Sequence, residues 1–282
     1  MPEELSEYLQ ASRVSRDGCC FVDNAFEGGA AAQTWDPLAA KDAVHAAAAS
    51  DTGDPFCKYP HWIRDEMLSG LLLDAGCGYG RISIPLLEGD PLLRVLGVDA
   101  STEMLGRFHE FATVRNLIDR VGLVRAGLTH IPVRSGVADV ALSSAVLLHN
   151  PYEGAQRIVA EMFRCLRPGG KAIFVGAFPN RWNASGLMSA LYAATQGARN
   201  GPVRSYSRSR ITRLLAPYAA TVTLRATGVE VLPKSFLSAS LPGQHRAASA
   251  INGWASKAGA IREVAANTGI GVSIWDVVAT KA

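Results

Sequence analysis

The chain has few of the features that mark metal sites, secretion or membrane insertion. Its five cysteines show no C-x-x-C spacing, so the common zinc patterns are excluded and no metal ligand is predicted. The first residues are acidic and lack the apolar stretch of a signal peptide, so we expect reduced thiols and a cytoplasmic protein. The most apolar run, residues 137–148, contains Asp139 and is too short to span a bilayer.

Strong charge of one sign is also absent. The 282-residue chain has a net charge of +3, and its basic residues are scattered apart from one cluster made of Arg204, Arg208, Arg210 and Arg213. Nucleic-acid-binding proteins concentrate Lys and Arg on one face, so we expect neither a nucleic-acid nor a membrane partner. Apolar residues are abundant, at 48% of the chain against 19% charged residues, which is typical of a globular domain with a large core.

Short apolar runs alternate with helical periods from residue 70 onward. The predicted strands are residues 71–75, 94–98, 121–125, 138–143, 171–178, 221–229 and 270–280. The predicted helices are residues 81–87, 104–112, 155–166, 185–194 and 207–215. Strands that alternate with helices pair in parallel through right-handed crossovers. The predicted fold is therefore an α/β, Rossmann-like, doubly wound and mostly parallel sheet of about seven strands.

The remaining segments lie outside this core. Residues 1–69 are predicted to form a helical N-terminal extension, in which Asp36 before a proline marks a helix start. The main domain, residues 70–282, carries inserts at 179–206 and 233–268. Because the extension and the inserts are long enough to cover a pocket, we expect them to form a cap that excludes water from a bound small molecule.

The most informative motif is a glycine-rich turn after the first predicted strand. Its sequence is Asp74-Ala75-Gly76-Cys77-Gly78-Tyr79-Gly80-Arg81. Glycine lets the backbone turn tightly and approach a ligand without a Cβ in the way, and N–H groups at the following helix start bind anionic groups. Asp99 ends the next strand, where a carboxylate can accept two hydrogen bonds from a ribose diol. Dinucleotide-binding dehydrogenases have G-x-G-x-x-G, and the earlier third glycine here disfavours a nicotinamide oxidoreductase.

This G-x-G-x-G turn, with an acid at the end of its strand, resembles the first motif of class I S-adenosylmethionine-dependent methyltransferases. The similarity continues along the chain. The family's ribose-binding strand end resembles Val98-Asp99-Ala100-Ser101, followed by Met104. Its fourth strand resembles Ala138–Ser144, and the segment after that strand resembles Val146–His149. The helix stop before its fifth strand resembles Leu166–Lys171. The resemblance is dense over residues 70–178 and implies S-adenosylmethionine as the cofactor.

The resemblance also implies which residues surround that cofactor. They are Asp74, Gly76, Cys77, Gly78, Gly80, Asp99, Ala100, Met104, Leu128, Thr129 and Ser144. The glycines would lie against the methionine end, which Asp74 would help to orient and Ser144 would border, while Asp99 would hold the ribose. Leu128 stands where the family commonly has an acid, so Met104, Thr129, backbone groups and apolar packing would hold the adenine.

Methyl transfer to oxygen needs a group that removes a proton, and His149 after the fourth strand is the candidate base. Weaker candidates are His130, Tyr206 and His245, and candidate pocket aromatics are Trp62, Trp182 and Tyr192. The Asn/Asp-Pro-Pro-aromatic motif of nucleobase-amine methyltransferases is not found after the fourth strand, and no carboxylate cluster of metal-dependent enzymes is evident. We therefore expect O-methylation of a small hydroxylated metabolite, such as a sugar, natural product or lipid-linked compound, in secondary metabolism or antibiotic biosynthesis.

Alternatives from other classes stay open at this point. One is a catalytically silent S-adenosylmethionine-binding partner subunit, because no base is unambiguous. Another is an RNA methyltransferase, and a third, disfavoured by the glycine spacing, is an NAD-dependent oxidoreductase.

Overall fold

The computed structural model describes residues 3–26, 33, 36–37, 61–67, 69–187, 204–232 and 244–282. The chain divides into two compact units. The first comprises Met1–Ser144, Gln156–Ile173 and Thr280–Ala282, and the second comprises Ala145–Ala155 and Phe174–Ala279. The predicted helix from Asp36 through the alanine-rich run, the predicted pocket residue Tyr192, and residues 233–243 of the second insert lie largely or wholly outside the described residues.

The elements of the described residues follow the alternation that the sequence predicts. The strands are β1 (Val14–Asp17), β2 (Cys20–Asp23), β3 (Leu71–Ala75), β4 (Arg94–Asp99), β5 (Val121–Arg125), β6 (Ala138–Ser144), β7 (Leu166–Pro179), β8 (Ala219–Val229) and β9 (Val272–Lys281). The helices are α1 (Glu3–Ser6), α2 (Ile63–Glu66), α3 (Ser83–Gly89), α4 (Thr102–Val114), α5 (Tyr152–Cys165), α6 (Arg208–Leu215), α7 (Gln244–Lys257) and α8 (Gly259–Thr268). The strand order is β1-β2-β5-β4-β3-β6-β7-β9-β8.

Strand β3 is the centre of the first unit. All five of its residues are buried, four of them apolar and one the acid Asp74. This burial fits a parallel strand that is covered on both faces and has no solvent side. It pairs in parallel with β4 and β6, through contacts such as Leu73 with Leu96 and Leu73 with Ala141, and β4 pairs in parallel with β5. The predicted Rossmann-like, mostly parallel sheet is confirmed, with nine strands among the described residues instead of about seven.

Helix α4 packs on this sheet through one apolar stripe. Its buried residues are Met104, Leu105, Phe108 and Ala112, spaced three or four apart as one helical face requires. The helix begins after Ser101, whose hydroxyl accepts a hydrogen bond from the Met104 N–H at 3.1 Å. Such a cap satisfies a backbone donor that would otherwise have no partner in the first turn.

The predicted helical N-terminal extension contains two strands within residues 14–23, where the prediction of helix is wrong. Strands β1 and β2 form an antiparallel hairpin there, and β2 adds in parallel to the edge of β5 through Val22 and Arg125. The hairpin turn consists of two residues and begins at Gly18, whose φ of +55° suits a tight hairpin turn. These two strands account for the larger strand count.

The second unit contains the later part of β7 with β8, β9 and helices α6 to α8. Its core includes the fully buried side chains of Phe178, Tyr206 and Trp275. Asp276 of β9 is also buried, and its carboxylate accepts hydrogen bonds from the Gly176 N–H and the Thr227 hydroxyl, both at 2.7 Å. Of the insert helix predicted at 185–194, residues 185–187 are helical and the rest lies outside the described residues.

Candidate functional site

The carboxyl ends of β3 and β4 meet at one edge of the sheet in the first unit. Ala75 at the end of β3 pairs with Val98, one residue before the end of β4. The Val98 carbonyl accepts hydrogen bonds from the N–H groups of Gly76 at 2.8 Å and Cys77 at 3.2 Å. The glycine-rich turn is therefore fixed directly beside Asp99, as the parallel pairing predicts.

Three glycines of the turn have backbone conformations that other residues rarely adopt. The φ angles are +81° at Gly76, +52° at Gly78 and +81° at Gly80. At Gly80 a Cβ would stand 2.6 Å from the ring of Phe108, so this glycine is required for packing. At Gly78 a Cβ would meet only the sulfur of Met104, at 3.8 Å, so the space beside Gly78 is open. The turn is therefore tightly packed at Gly80 and has an accessible main chain at Gly78.

The Asp99 carboxylate is held by backbone donors on both sides. Its Oδ2 accepts a hydrogen bond from the Gly78 N–H at 2.9 Å, and its Oδ1 accepts one from the Ser101 N–H at 2.9 Å. Burial raises the pKa of Asp99, while hydrogen bonds from the Ser101, Gly78 and Ala100 N–H groups oppose that rise. Because the two carboxylate oxygens together have four lone pairs, these backbone donors leave acceptor capacity for a ligand.

Asp74, which precedes the turn, is a second buried acid. Its Oδ2 accepts a hydrogen bond from the Ser83 hydroxyl at 2.6 Å. Burial raises its pKa to about 7, the Ser83 hydrogen bond works against that rise, and the nearby Asp99 charge adds to it. The carboxyl group of Asp74 therefore changes charge near neutral pH, which is unusual for an aspartate.

The other predicted cofactor residues take different places around this edge. Cys77 is buried, and its sulfur lies 2.9 Å from where a Cβ on Gly97 would stand, so its side chain points into the packing under the turn. Burial raises the pKa of its thiol well above the usual value. Ala100 follows Asp99 directly, and its N–H group is among the donors to that carboxylate.

The turn after β5 reaches the same edge. The Ala126 N–H donates to the Asp99 carbonyl at 3.0 Å, and the half-buried Leu128 and Thr129 follow two and three residues later. Ser144, at the end of β6, accepts a hydrogen bond from the guanidinium of Arg81 at 3.0 Å. The structure thus brings Gly78 into direct contact with Asp99 and Gly76 into contact with the neighbouring Val98. Leu128, Thr129 and Ser144 follow or end adjoining strands, and Met104 lies in helix α4.

Sequence reasoning missed two residues beside Asp99. The hydroxyl of Ser101 donates a very short hydrogen bond to the Asp36 carboxylate, which also accepts from the Glu103 N–H at 3.4 Å. Asp36 therefore caps helix α4 in addition to its predicted role at a local helix start, and its charge raises the pKa of Asp99 further. A serine before an apolar helical stripe is a detectable cap signal for Ser101. No local signal identifies Asp36 as its partner.

The candidate base His149 belongs to the second unit. It ends a single 3-10 turn, Leu147–His149, and its N–H donates to the Val146 carbonyl at 3.1 Å. The ring is half-buried, and burial lowers its pKa from the usual 6.5. Ala145, which starts this segment, has a φ of +55°, an unusual conformation for alanine.

The weaker candidates lie in varied surroundings. His130 is exposed in the first unit, and Tyr206 is buried in the second, where its hydroxyl donates to the Leu147 carbonyl at 3.3 Å. Trp62 precedes α2 and is partly buried, whereas Trp182 is half exposed. His245 lies in α7.

Comparison with known proteins relates part of the chain to methyltransferases. Residues 73–174 match a family model described as a methyltransferase domain. The cyclase SpnF shares the fold with a TM-score of 0.52 at 18% identity, over 89% of this chain and 94% of that one. Residues 73–174 are therefore similar to a methyltransferase domain, and the fold around them is Rossmann-like.

Curated relatives match mainly this domain. An uncharacterized chloroplastic methyltransferase of Arabidopsis thaliana is 32% identical over 107 residues, which is 37% of this chain and 30% of that protein. An arsenite methyltransferase of Halobacterium salinarum is 29% identical over 159 residues, or 56% and 39% of the two chains. A tRNA U34 carboxymethyltransferase of Cellvibrio japonicus is 29% identical over 103 residues, or 36% and 31%. The chain spans about a third of the length of these relatives.

A methyltransferase domain implies S-adenosylmethionine as the cofactor, and the residues present fit that molecule. The open space beside Gly78 accepts a ligand close to the main chain. The remaining acceptor capacity of the Asp99 carboxylate suits the hydroxyls of a ribose. Among the described residues, no cluster of three or more His, Cys, Asp or Glu side chains could hold a metal ion.

Within the described part of the chain, no helix has both the length and the apolar character that a bilayer span requires.

Proposed function

We propose that the protein transfers the methyl group of S-adenosylmethionine to an oxygen atom of a small hydroxylated metabolite, a natural product, sugar or lipid-linked compound. The observation that carries the cofactor part of this proposal is the junction of Gly78 and Asp99, where an open main-chain turn adjoins a carboxylate that can accept further hydrogen bonds. When bound, the cofactor supplies an electrophilic methyl group on a sulfonium. No metal is needed for that chemistry.

In this proposal Asp99 holds the ribose, and the glycines contact the methionine end. Asp74 becomes ionised beside that end, where its negative charge attracts the cofactor's ammonium and sulfonium groups. Thr129, Leu128 and Met104 border the adenine, and Ser144 borders the methionine end. Cys77 shapes the turn from below, because its side chain is buried.

His149 is the proposed general base. Burial lowers its pKa, so the ring is neutral at physiological pH and one of its nitrogens can accept a proton from an acceptor hydroxyl. The position of His149 shortly after β6 supports this role by resemblance to the methyltransferase family. A neutral imidazole is the form of the side chain that a proton-accepting role requires.

We further infer a cytoplasmic role in secondary metabolism, such as antibiotic biosynthesis. The described cysteines are free, including the exposed Cys19, which fits a reducing compartment. Arginine far outnumbers lysine and alanine is abundant, a composition typical of GC-rich bacterial genomes.

Two other functions have specific support. The tRNA-modifying relative favours an RNA acceptor. The structural neighbour named as a cyclase shows this fold in a protein named for another reaction, which favours the second alternative, a catalytically silent S-adenosylmethionine-binding partner subunit. The RNA alternative predicts RNA binding that falls steeply with salt. The second alternative predicts cofactor binding without turnover on any acceptor.

The test begins with cofactor binding. Isothermal titration with S-adenosylhomocysteine should give saturable binding to the wild type, and titration with NAD should not. Asp99→Asn and Asp99→Ala should weaken S-adenosylhomocysteine binding at least tenfold, since each loses a charge-assisted acceptor for the ribose. Circular dichroism of both variants should stay at the wild-type signal, and the exposed Asp119→Asn serves as the control.

Two results would contradict the proposal at different levels. Wild-type affinity in both Asp99 variants would refute the ribose assignment. A protein that binds the cofactor normally could transfer labelled methyl to RNA and to none of a panel of hydroxylated small molecules. That result would replace the small-molecule acceptor with a nucleic acid.

A further inference from the structure

Two arginines and two tyrosines form a cluster in the second unit that the proposed function does not use. We call Tyr152, Arg204, Tyr206 and Arg210 the cationic cluster. All four lie in the second unit. Tyr206 is buried, Tyr152 is partly buried, and both arginines are exposed.

The cluster has a defined geometry. The guanidinium carbon of Arg210 lies 4.4 Å from the centre of the Tyr152 ring, a close cation–π contact. Burial raises the pKa of Tyr206, and the positive charges of Arg210 and Arg204 oppose that rise. Both guanidinium groups therefore act on the same phenol, from two points of the chain.

The cluster is attached to the segment that carries the candidate base. The Tyr206 hydroxyl donates to the Leu147 carbonyl at 3.3 Å, and the Arg204 N–H donates to the Leu148 carbonyl at 2.7 Å. His149 is the next residue. Two members of the cluster thus hold the main chain immediately before His149.

The positive charge of the cluster is not neutralised within the described chain. No carboxylate of those residues forms an ion pair with Arg204 or Arg210. Helix α6 begins after Ser207 and has no acidic residue in its first turn, where the helix dipole adds further positive potential. Arginines grouped in this way repel one another, and an anion removes that repulsion.

We propose that the cationic cluster binds the oxyanion of the acceptor, so that the acceptor is a hydroxylated small molecule with a carboxylate or phosphate group. This rests on the proposed function for the identity of the acceptor. Arginine presents paired N–H donors to carboxylate and phosphate oxygens. An anchor beside His149 fixes the acceptor hydroxyl near the base, and such orientation contributes much of the rate of a displacement reaction.

The size of the cluster favours a small acceptor over a nucleic acid. It contains only two guanidinium groups, whereas a nucleic-acid backbone requires a row of phosphate contacts. The other basic residues of the chain are scattered, and the net charge is only +3.

The first experiment measures anion binding without any methyl transfer. Sodium phosphate and sodium benzoate are titrated into the full-length protein at constant ionic strength, with sodium chloride as the reference. We expect saturable binding to the wild type that is about tenfold weaker in Arg204→Gln and in Arg210→Gln. Arg213→Gln, also exposed on α6, is the matched control and should bind as the wild type does. The preferred anion distinguishes a phosphate from a carboxylate acceptor.

The outcomes separate this inference from the proposed function. The cluster is not an anion site if the wild type shows no saturable anion binding, or if Arg213→Gln weakens anion binding as much as Arg204→Gln and Arg210→Gln do. Either result holds even if the cofactor binds. Anion binding that depends on Arg204 and Arg210 in a protein without affinity for S-adenosylhomocysteine would retain the site and reject the methyltransferase function.

A single-stranded RNA oligonucleotide forms the third arm. Tight RNA binding that needs Arg204, Arg210 and Arg213 alike, without saturable phosphate binding, would assign the cluster to a nucleic acid. With a hydroxylated acid and its neutral amide as acceptors, the wild type should prefer the acid about tenfold in kcat/KM, and the two glutamine variants should lose that preference.

Discussion

Replacing Asp74 with asparagine should make the stability of the protein less dependent on pH. Asp74 is 2% exposed, and burial raises its pKa from 3.8 to about 7. The folded protein therefore holds the proton of this acid more tightly than the unfolded chain does. The contribution of Asp74 to stability is greatest below about pH 4 and is lost as the pH rises toward 7.

The magnitude follows from the two pKa values. The interval between 3.8 and about 7 corresponds to roughly 4 kcal/mol, at 1.36 kcal/mol for each pH unit. Asparagine has the same shape as aspartate, and its side-chain oxygen can accept a hydrogen bond from the Ser83 hydroxyl. Asparagine carries no charge at any pH. Between pH 4 and pH 8 the free energy of unfolding of Asp74→Asn should rise by roughly 4 kcal/mol relative to the wild type.

Urea denaturation at closely spaced pH values measures this difference directly. The exposed Asp119→Asn is the control and should follow the wild-type pH profile. The effect of Asp99, whose pKa is also raised by burial, is present in both proteins and largely cancels in the comparison. Parallel pH profiles for the wild type and Asp74→Asn would refute the assignment of a neutral, buried Asp74.

Two further predictions concern the turn and the candidate base. Gly80→Ala should lower the free energy of unfolding by about 2–4 kcal/mol, since φ is +81° and the new methyl meets the Phe108 ring. Gly106→Ala in α4, where a Cβ meets nothing within 4 Å, should instead raise the free energy of unfolding by about 0.5–1 kcal/mol. Chemical denaturation measures both changes, and equal changes in the two variants would be evidence against the packing account. For the base, kcat should fall on the acid side with a midpoint below pH 6.5, because burial lowers the pKa of His149. His149→Asn should remove this fall in kcat at acid pH. If the fall persists in the variant, it belongs to another titrating group.

The central part of the fold could be predicted because its signals are local. Strands β3, β4, β5 and β6 are short and mostly apolar, and their observed ends differ from the predicted ones by at most one residue. The glycine turn and Asp99 were predicted to meet because parallel strands bring their carboxyl ends to one edge. The Gly78–Asp99 hydrogen bond confirms that contact.

The missed features depend on partners that are distant in sequence. Strand β2 pairs with β5, about one hundred residues later, and four-residue strands have too little periodicity to stand out. Asp36 bonds to Ser101, 65 positions away, so its local pattern indicated only a helix start. The inward orientation of the Cys77 side chain follows from the conformation of the turn, which residue types alone do not specify.

The N-terminal hairpin determines which strand ends the sheet. Without it, β5 would be the last strand, and four of its five residues are apolar or glycine and buried. Its unpaired backbone groups would then offer a template for the strands of other molecules. Strand β1 instead ends the sheet with four residues, of which Ser15, Arg16 and Asp17 are exposed and polar. A shortened chain that begins after residue 26 should therefore aggregate, even though the glycine turn and Asp99 are retained.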